Sequence, residues 1–503
     1  MSLPPAKLPL QDPLKPWKYF LFPSLRFSHA LTMFMKCVLL FSTLASTSLV
    51  FYAFFSDNPR LFLCSECDPS NIRFKTNYQE ITNDDVTNIT HIQFGIGGSA
   101  KTWEERRRYI EIWWKPNITR GFIWLDEEPG NGGGTTWPDN SPPYKVSEDT
   151  SRFKYNCDYG SRSALRIARI VKESFELGME NVRWFVMGDD DTLFFPDNLV
   201  TVLSKYDYNE MYYIGGISES VEQDLIHSYS MGYGGGGFAI SYPLAAELVR
   251  VLDGCIDRYA SFYGSDQRIG GCMSEIGVPV TIEPGFHQVD IRGSPYGLLA
   301  AHPLAPLVSL HHLDYVQPLF PGMNRIDSVK HLVEAYRIDP SRTLQQSICY
   351  NLNSSWSISV SWGYTAQLYP SLITAKDLTT PLQTFLTWRT WSGEPFTFNT
   401  RIQTLDPCDR PLIYYFDSVN VVDNGTVTSY RRSAEEKKEC DKDNYATVLP
   451  IQKLNISALF LHIDEWKKAP RRQCCEVMNS GGDDGVLQVR IRSCNQWESV
   501  TPL

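Results

Sequence analysis

The sequence predicts an α/β protein with one N-terminal apolar stretch, an α/β domain on a largely parallel sheet, and a smaller disulfide-braced β-rich domain after it. Three observations carry this reading. Nineteen consecutive residues, 37–55, hold no charge. From about residue 90 to 335, strand-like apolar runs alternate with helical stretches, the pattern of strand–helix–strand crossovers. Beyond about residue 340 the runs become short and strand-like, with Cys349, Cys408, Cys440, Cys474, Cys475 and Cys494 among them.

Composition narrows the class. The chain has 503 residues and a formal net charge of −10, which argues against a nucleic-acid partner. At 43% apolar and 21% charged residues it can bury sizeable cores, and disordered, collagen-like and coiled-coil classes are excluded. An aromatic content of 13% suits surfaces that stack on sugars or other flat apolar rings.

At about 1.5 Å per residue, 37–55 spans about 29 Å as a helix, which matches a thin bilayer core. Upstream lie Lys7, Lys15, Lys18, Arg26 and Lys36 against Asp12 alone, whereas Asp57, Arg60, Glu66 and Asp68 follow. The positive-inside bias then places the N-terminus in the cytosol and the body in the lumen. A cleaved signal peptide fits less well, because its charged region would run to 36 residues and no small-residue cleavage site follows cleanly. Sequons begin at Asn88, Asn117, Asn353, Asn424 and Asn455, all downstream of the span. Eleven cysteines follow Cys37, an odd number that leaves one thiol free or intermolecular. The segments are therefore a cytosolic tail (1–36), a transmembrane signal anchor (37–55), a lumenal stem (56–85), the α/β domain (86–338) and the β-rich domain (339–503).

Within the α/β domain, HIQFGIGG reads as a strand, WEERRRYIEIWW as a helix and RGFIWLDE as a strand. A helix over Ser163–Leu177 follows, with Ser161 or Ser163 as cap, Leu165, Ala168, Val171 and Phe175 on its apolar stripe, and Gly178 as stop. VRWFVMG is the next strand. Gly130–Pro143 is too rich in Gly and Pro for an element and reads as a loop over a site. Later, WSISVSWGY, FTFNT, PLIYYFDSV and VLQVRIR read as strands. No internal repeat is evident.

The chemistry concentrates in WFVMGDDDTLFFPDNL. Trp184–Met187 reads as a buried strand that stops at Asp189, Asp190 and Asp191 before apolar residues resume at Leu193–Phe195. Crowded, partly desolvated carboxylates raise one another's pKa unless a cation compensates them. The carboxyl end of a strand in an open α/β sheet is also where ligands bind. Oxygen ligands for Mg²⁺ or Mn²⁺, completed by substrate phosphates, are the economical explanation; an acidic turn leading into a helix near Pro196 is the alternative.

RWFVMGDDDTLFF, then YGGGGFAIS (Tyr233–Ser241) and FYGSDQRIG (Phe262–Gly270), resemble the metal motif, glycine-rich turn and base motif of Fringe-like β-1,3-glycosyltransferases, most closely the plant-type Fringe-related branch. The resemblance covers roughly residues 90–320. It implies a GT-A-like, Rossmann-like fold, a UDP-sugar donor, a glycan or glycoprotein acceptor, Mn²⁺ or alternatively Mg²⁺, inversion at the anomeric carbon, and a Golgi single-pass type II membrane setting. By motif, Asp191 is the direct metal ligand, with Asp189 and Asp190 shaping the metal shell and nucleotide ribose. A later His completes such sites: SLHHLDY points to His312, with His311 as the alternative and His287 as a third candidate. Asp126, Arg162, Gly235 and Gly236 are donor-site candidates, and Cys255 and Cys272 are candidates for a local disulfide. Asp266 takes the position of the catalytic base, against the alternative of a helix cap. The chain departs from many relatives in having Ser265-Asp266 where two acids are usual, in the Gly130–Pro143 insertion, and in the β-rich domain. The expected function is an inverting metal-dependent glycosyltransferase that moves a hexose or N-acetylhexosamine; a catalytically silent glycan-binding or scaffolding membrane protein is the alternative.

Overall fold

The computed structural model describes residues 35–36, 38–43, 47, 86–130, 137–433, 440, 442–478 and 485–501. The chain divides into two units, Met1–Glu80 and Ile81–Leu503. In the first, residues 38–43 are helical, with Leu39, Leu40 and Phe41 exposed. Most of the expected span 37–55, and all of the stem up to residue 85, lie outside the described residues. Among the described residues no helix is long and apolar enough to cross a membrane.

The second unit is built on a seven-stranded sheet. Its strands are β1 (Ile92–Gly97), β2 (Arg120–Leu125), β3 (Tyr144–Val146), β4 (Trp184–Asp189), β6 (Tyr213–Gly215), β7 (Phe238–Ser241) and β8 (Val280–Ile282), in the order β3-β2-β1-β4-β7-β6-β8. The first four are mutually parallel, as the alternation of strands and helices requires. β7 runs antiparallel to both β4 and β6, so the sheet is mixed rather than largely parallel. Strands of three or four residues are too short to show a periodicity, which is why this half left no pattern in the sequence.

Helices cover both faces. Trp103–Trp113 buries Trp103, Tyr109, Ile110, Ile112 and Trp113. Ser163–Glu176 ends as expected before Gly178, which takes the left-handed φ of +60°. Its cap position is Arg162, without a side-chain cap bond; the Ser161 hydroxyl instead accepts from the Ser163 N–H at 3.3 Å. The described end of the Gly130–Pro143 loop packs on the first of these helices, with Trp137 stacked on Trp103 at 5.0 Å.

A second sheet of three short strands positions the site. β5 (Leu193–Phe194) pairs antiparallel with β11 (Ser309–Leu310), which pairs parallel with β9 (Phe286–His287). After the Arg325–Ile338 helix the chain enters a closed eight-stranded barrel of β12 (Gln346–Asn351), β13 (Trp356–Ser361), β14 (Thr365–Tyr369), β16 (Leu412–Val422), β17 (Gly425–Arg432), β18 (Lys453–Leu459), β20 (Val486–Arg492) and β19 (Cys474–Val477). Closure removes the exposed edges that an open β-rich domain would carry. Cys349–Cys475 and Cys474–Cys494 tie its strands, Cys408–Cys440 braces its loops, and Cys255–Cys272 joins two helices of the α/β half. Cys157 is the free cysteine among the described residues. One strand departs from the barrel: β15 (Phe385–Thr387) pairs with β10 (Ile291–Gly293) of the α/β half. The expected strand FTFNT is not one; Phe396 makes a single bridge to Ser220.

Candidate active site

β4 delivers the three aspartates to the carboxyl edge of the parallel strands. Asp189 lies opposite Gly97 of β1, and the Asp190 N–H donates to the Gly97 carbonyl at 2.9 Å. The chain turns at once, with Thr192 N–H donating to the Asp189 carbonyl, and enters β5. Because Leu193 faces Leu310 in the β5–β11 pair, the residue after β11 is carried to the acidic turn. That residue is His311.

His311 Nε2 lies 3.1 Å from Asp191 Oδ1 and 3.8 Å from Asp189 Oδ2. Asp189, Asp191 and His311 each offer one ligand atom, all within 4.8 Å of one another. This corrects the expectation of His312. Its backbone is left-handed (φ +53°), and its ring turns away so that Nδ1 meets the buried Asp290 Oδ1 at 2.8 Å. His287 is elsewhere too, between Glu219 and His302 at 3.1 and 2.9 Å.

A cation that the sequence reading missed compensates the cluster. Arg106 Nη1 sits 2.9 Å from Asp190 Oδ1 and 3.3 Å from Asp191 Oδ2. The only signal for it was the run of three arginines on a helix whose other face is aromatic. Burial would push Asp191 up, but the charge and hydrogen bond of His311, with Arg106, outweigh it and hold Asp191 well below the usual carboxylate range. Burial also opposes the charge on His311, yet Asp191 and Asp189 carry it up to about 9. Asp190 is pushed up to about 6, mainly by burial and against Arg106. Asp189 rises to about 7 through loss of solvation, against His311 and with the help of Asp191, Asp190 and Asp266, although 34% of its side chain stays open to solvent. Asp190 Oδ2 and His311 Nδ1 are buried without a hydrogen-bond partner. Two carboxylates and an imidazole converging beside unsatisfied polar atoms fit a divalent ion of the Mn²⁺ or Mg²⁺ class.

The glycine-rich turn closes over this cluster from the other side. A Cβ on Gly235 would lie 2.1 Å from His311 Cε1, so only glycine lets the imidazole reach Asp191. Thr192 Oγ1 donates to the Gly235 carbonyl at 2.7 Å, the Gly236 N–H donates to Gln288 Oε1 at 2.5 Å, and Ser309 Oγ donates to the Gly236 carbonyl. Gly235 therefore seats the histidine, and the Gly235 and Gly236 carbonyls and the Gly236 N–H are taken up inside the protein rather than turned to a donor sugar.

Asp266 stands across the turn, one residue inside the helix Ser265–Ile276, whose cap is Gly264. Its carboxylate accepts from the Gly234 N–H at 3.2 Å and the Gln267 N–H at 2.8 Å, and it lines a small cavity with Asp189, Gly234 and Ser265. The structure therefore sets Asp266 in one cavity with Asp189 and places Gly264, two residues earlier, at the cap position. Asp126 stands exposed at the end of β2, accepting from the Ala100 N–H at 2.8 Å and Ser99 Oγ at 3.0 Å. Arg162 does not reach the site: its guanidinium donates to the carbonyls of Thr150 and Phe153 and pins that loop.

The family model described as Fringe-like matches residues 145–296, which span the acidic turn, the glycine turn and Asp266. A second model, described as a protein of unknown function, DUF604, matches residues 223–475, half of the chain. The chain belongs to the DUF604 family, and its residues 145–296 are similar to the Fringe-like model. Its relatives include a β-1,3-glucosyltransferase of Homo sapiens, 32% identical over 120 residues, covering 24% of this chain and 23% of that protein. The Mus musculus β-1,3-glucosyltransferase is 33% identical over 151 residues, covering 30% and 29%. The matched part is thus less than a third of each relative. Among solved structures, the catalytic domain of Drosophila β1,4-galactosyltransferase 7 in complex with xylobiose aligns at 14% identity and a TM-score of 0.23, over 38% of this chain and 64% of that one. The Fringe-like match holds Asp189, Asp191, Gly235 and Asp266, whereas His311 and the barrel strands from β12 to β18 fall in the DUF604 match beyond it.

Proposed function

We propose that the chain is an inverting glycosyltransferase that moves a hexose or N-acetylhexosamine from a UDP-sugar to a glycan or glycoprotein hydroxyl, in β-1,3 linkage. The observation that carries this is the Asp189–Asp191–His311 cluster with Asp266 across the glycine turn. Mn²⁺ or Mg²⁺ held by those three side chains would supply positive charge to the departing diphosphate. Arg106 balances the acidic turn, so the three carboxylates stay assembled. Asp189, partly open to solvent, faces the donor, with Asp126 on the neighbouring strand end. As the acceptor oxygen bonds to the anomeric carbon and the bond to UDP breaks, Asp266 takes the hydroxyl proton. The glucosyl relatives make UDP-glucose the first donor to try.

Turnover of a panel of UDP-sugars with Mn²⁺ tests the reading. Asp191→Asn keeps the shape and removes a ligand charge; transfer falls by roughly 10²-fold or more, with weaker Mn²⁺ binding. In Asp266→Asn the amide oxygen still accepts from the Gln267 N–H and only the Gly234 N–H loses its acceptor, so folding and donor binding persist while transfer is lost. Normal transfer by either variant removes that residue from the mechanism, and absence of turnover of every UDP-sugar by the wild type returns the protein to the glycan-binding alternative.

We place the body in the Golgi lumen behind a single N-terminal anchor. The four disulfides among the described residues support an oxidising compartment, and Asn88, Asn117, Asn353 and Asn424 are exposed at their sequons. Endoglycosidase lowers the apparent mass and sealed microsomes protect residues 56–503; digestion from the cytosolic side overturns the topology.

A further inference from the structure

The β15 excursion from the barrel does more than join the two halves. Trp388, directly after β15, stacks on His312 at 4.5 Å and 11° between planes, one residue from the metal-cluster His311. The Arg292 guanidinium lies 3.8 Å over Trp388, 4.8 Å over Tyr315 and 5.4 Å from Trp391. Trp391 is 61% exposed and has a left-handed backbone (φ +54°), as do His312 and Val289 nearby in sequence to Asp290. Such residues persist only where their surroundings over-determine them.

This turn is held firmly. The Ser392 N–H donates to Thr387 Oγ1 at 3.0 Å, and the Arg389 N–H donates to Glu222 Oε2 at 2.7 Å, with Thr390 Oγ1 on the same carboxylate. Arg389 Nε also reaches Gln223 Oε1 at 2.8 Å. The helix so gripped, Val221–Ile226, ends at His227, whose carbonyl accepts from Gln267, the residue after Asp266. Hydrogen bonds thus link the tryptophan turn, through the Val221–Ile226 helix and His227, to the helix that carries Asp266.

We propose that Trp391, with Arg292 and Trp388 behind it, is an acceptor subsite built by the segment that leaves the barrel at β15, which seats the apolar C–H face of a neutral sugar ring on the side of the site bounded by His312. An exposed indole on a rigid turn offers a large contact at little entropic cost, and the guanidinium beneath it can hydrogen-bond ring hydroxyls. The proposal rests on the glycosyltransferase reading and names where its acceptor lies.

The test is titration calorimetry of the full chain with p-nitrophenyl β-glucoside, β-galactoside, β-N-acetylglucosaminide and α-fucoside as probes. Trp391→Ala weakens the binding of at least one glycoside about tenfold. Leu405→Ala, which removes another exposed apolar side chain (91% exposed) away from the turn, leaves it as in the wild type. Absence of binding by every probe, or equal binding by Trp391→Ala, overturns the subsite. So does sedimentation showing that Trp391 mediates self-association. Wild-type UDP-sugar turnover is measured in parallel: its absence sinks the glycosyltransferase reading, while the glycoside titration still decides the subsite.

Discussion

The cluster depends on an atom that is missing. Gly235 has no Cβ, and the His311 ring occupies that space, so the cost of adding one methyl group can be read from geometry alone. In Gly235→Ala the new carbon would sit 2.1 Å from the imidazole, and either the turn or the ring must move. Overpacking of this kind costs roughly 1–3 kcal/mol. The ring is the freer partner, and its displacement separates Nε2 from Asp191. Mn²⁺ affinity by titration calorimetry is expected to drop at least about tenfold, a loss comparable to removing a partner that orients a ligand. In Gly234→Ala the carbon would meet only Asp266 Cβ at 3.4 Å, an ordinary contact, and Mn²⁺ affinity is retained. Equal Mn²⁺ binding by both variants and the wild type would show that His311 is no ligand.

At the scale of the element, the Ser163–Glu176 helix carries a second testable feature. Glu173 is buried, neither of its oxygens has a hydrogen-bond partner, and the nearest cation, Arg169, is 3.9 Å away and shared with Glu148 and Asp253. Burial raises its pKa to about 7, with Arg169 pulling the other way. The folded state therefore binds a proton that the unfolded state releases near pH 4.5. Stability from this group is full below the unfolded value and declines as pH rises to about 7. Glu173→Gln removes the penalty, so its melting temperature gains on the wild type at pH 8 and not at pH 5. A variant that loses as much at pH 8 as at pH 5 would mean that Glu173 is ionised and paired. This helix, β1, β2 and β4 were legible because each is long enough to show its period and its stop signals. The acidic turn was legible because charge between two buried runs needs a partner. The choice between His311 and His312 was not, since it rests on one left-handed φ and on the pairing of two two-residue strands. Nor did sequence distinguish Arg162, which is satisfied locally, from Arg106, which crosses 84 residues to meet Asp190.

Across the whole molecule, closure of the barrel and its union with the α/β half depend on contacts between distant segments. One hydrophobic core runs from Ile92 and Phe94 of β1 to Leu487, Val489 and Ile491 of β20. At the junction Phe320 lies 5.4 Å edge-on to Tyr364, Tyr296 packs on Tyr364 and Tyr415, and Ser361 Oγ donates to the Leu299 carbonyl at 2.9 Å. Asn198 Nδ2 is buried between the carbonyls of Leu307 and Pro340. The change of pattern near residue 340 leads one to expect separate domains, yet 81–503 forms one compact unit. The boundary at residue 338 is the end of a helix and not the edge of a core. A chain cut there would expose Phe320, Tyr296 and Leu299 and lose β15, the partner of β10. Each large apolar side chain returned to water costs roughly 1.5–3 kcal/mol, so a few of them equal a typical net stability of about 5–15 kcal/mol. Calorimetry of residues 81–503 should thus give one cooperative transition, with barrel and sheet melting together, and the chain ending at residue 338 should fail to fold. Two separate transitions, or a folded and Mn²⁺-binding 1–338 chain, would show that the barrel is an appended module and that the shared core is not what holds the two halves together.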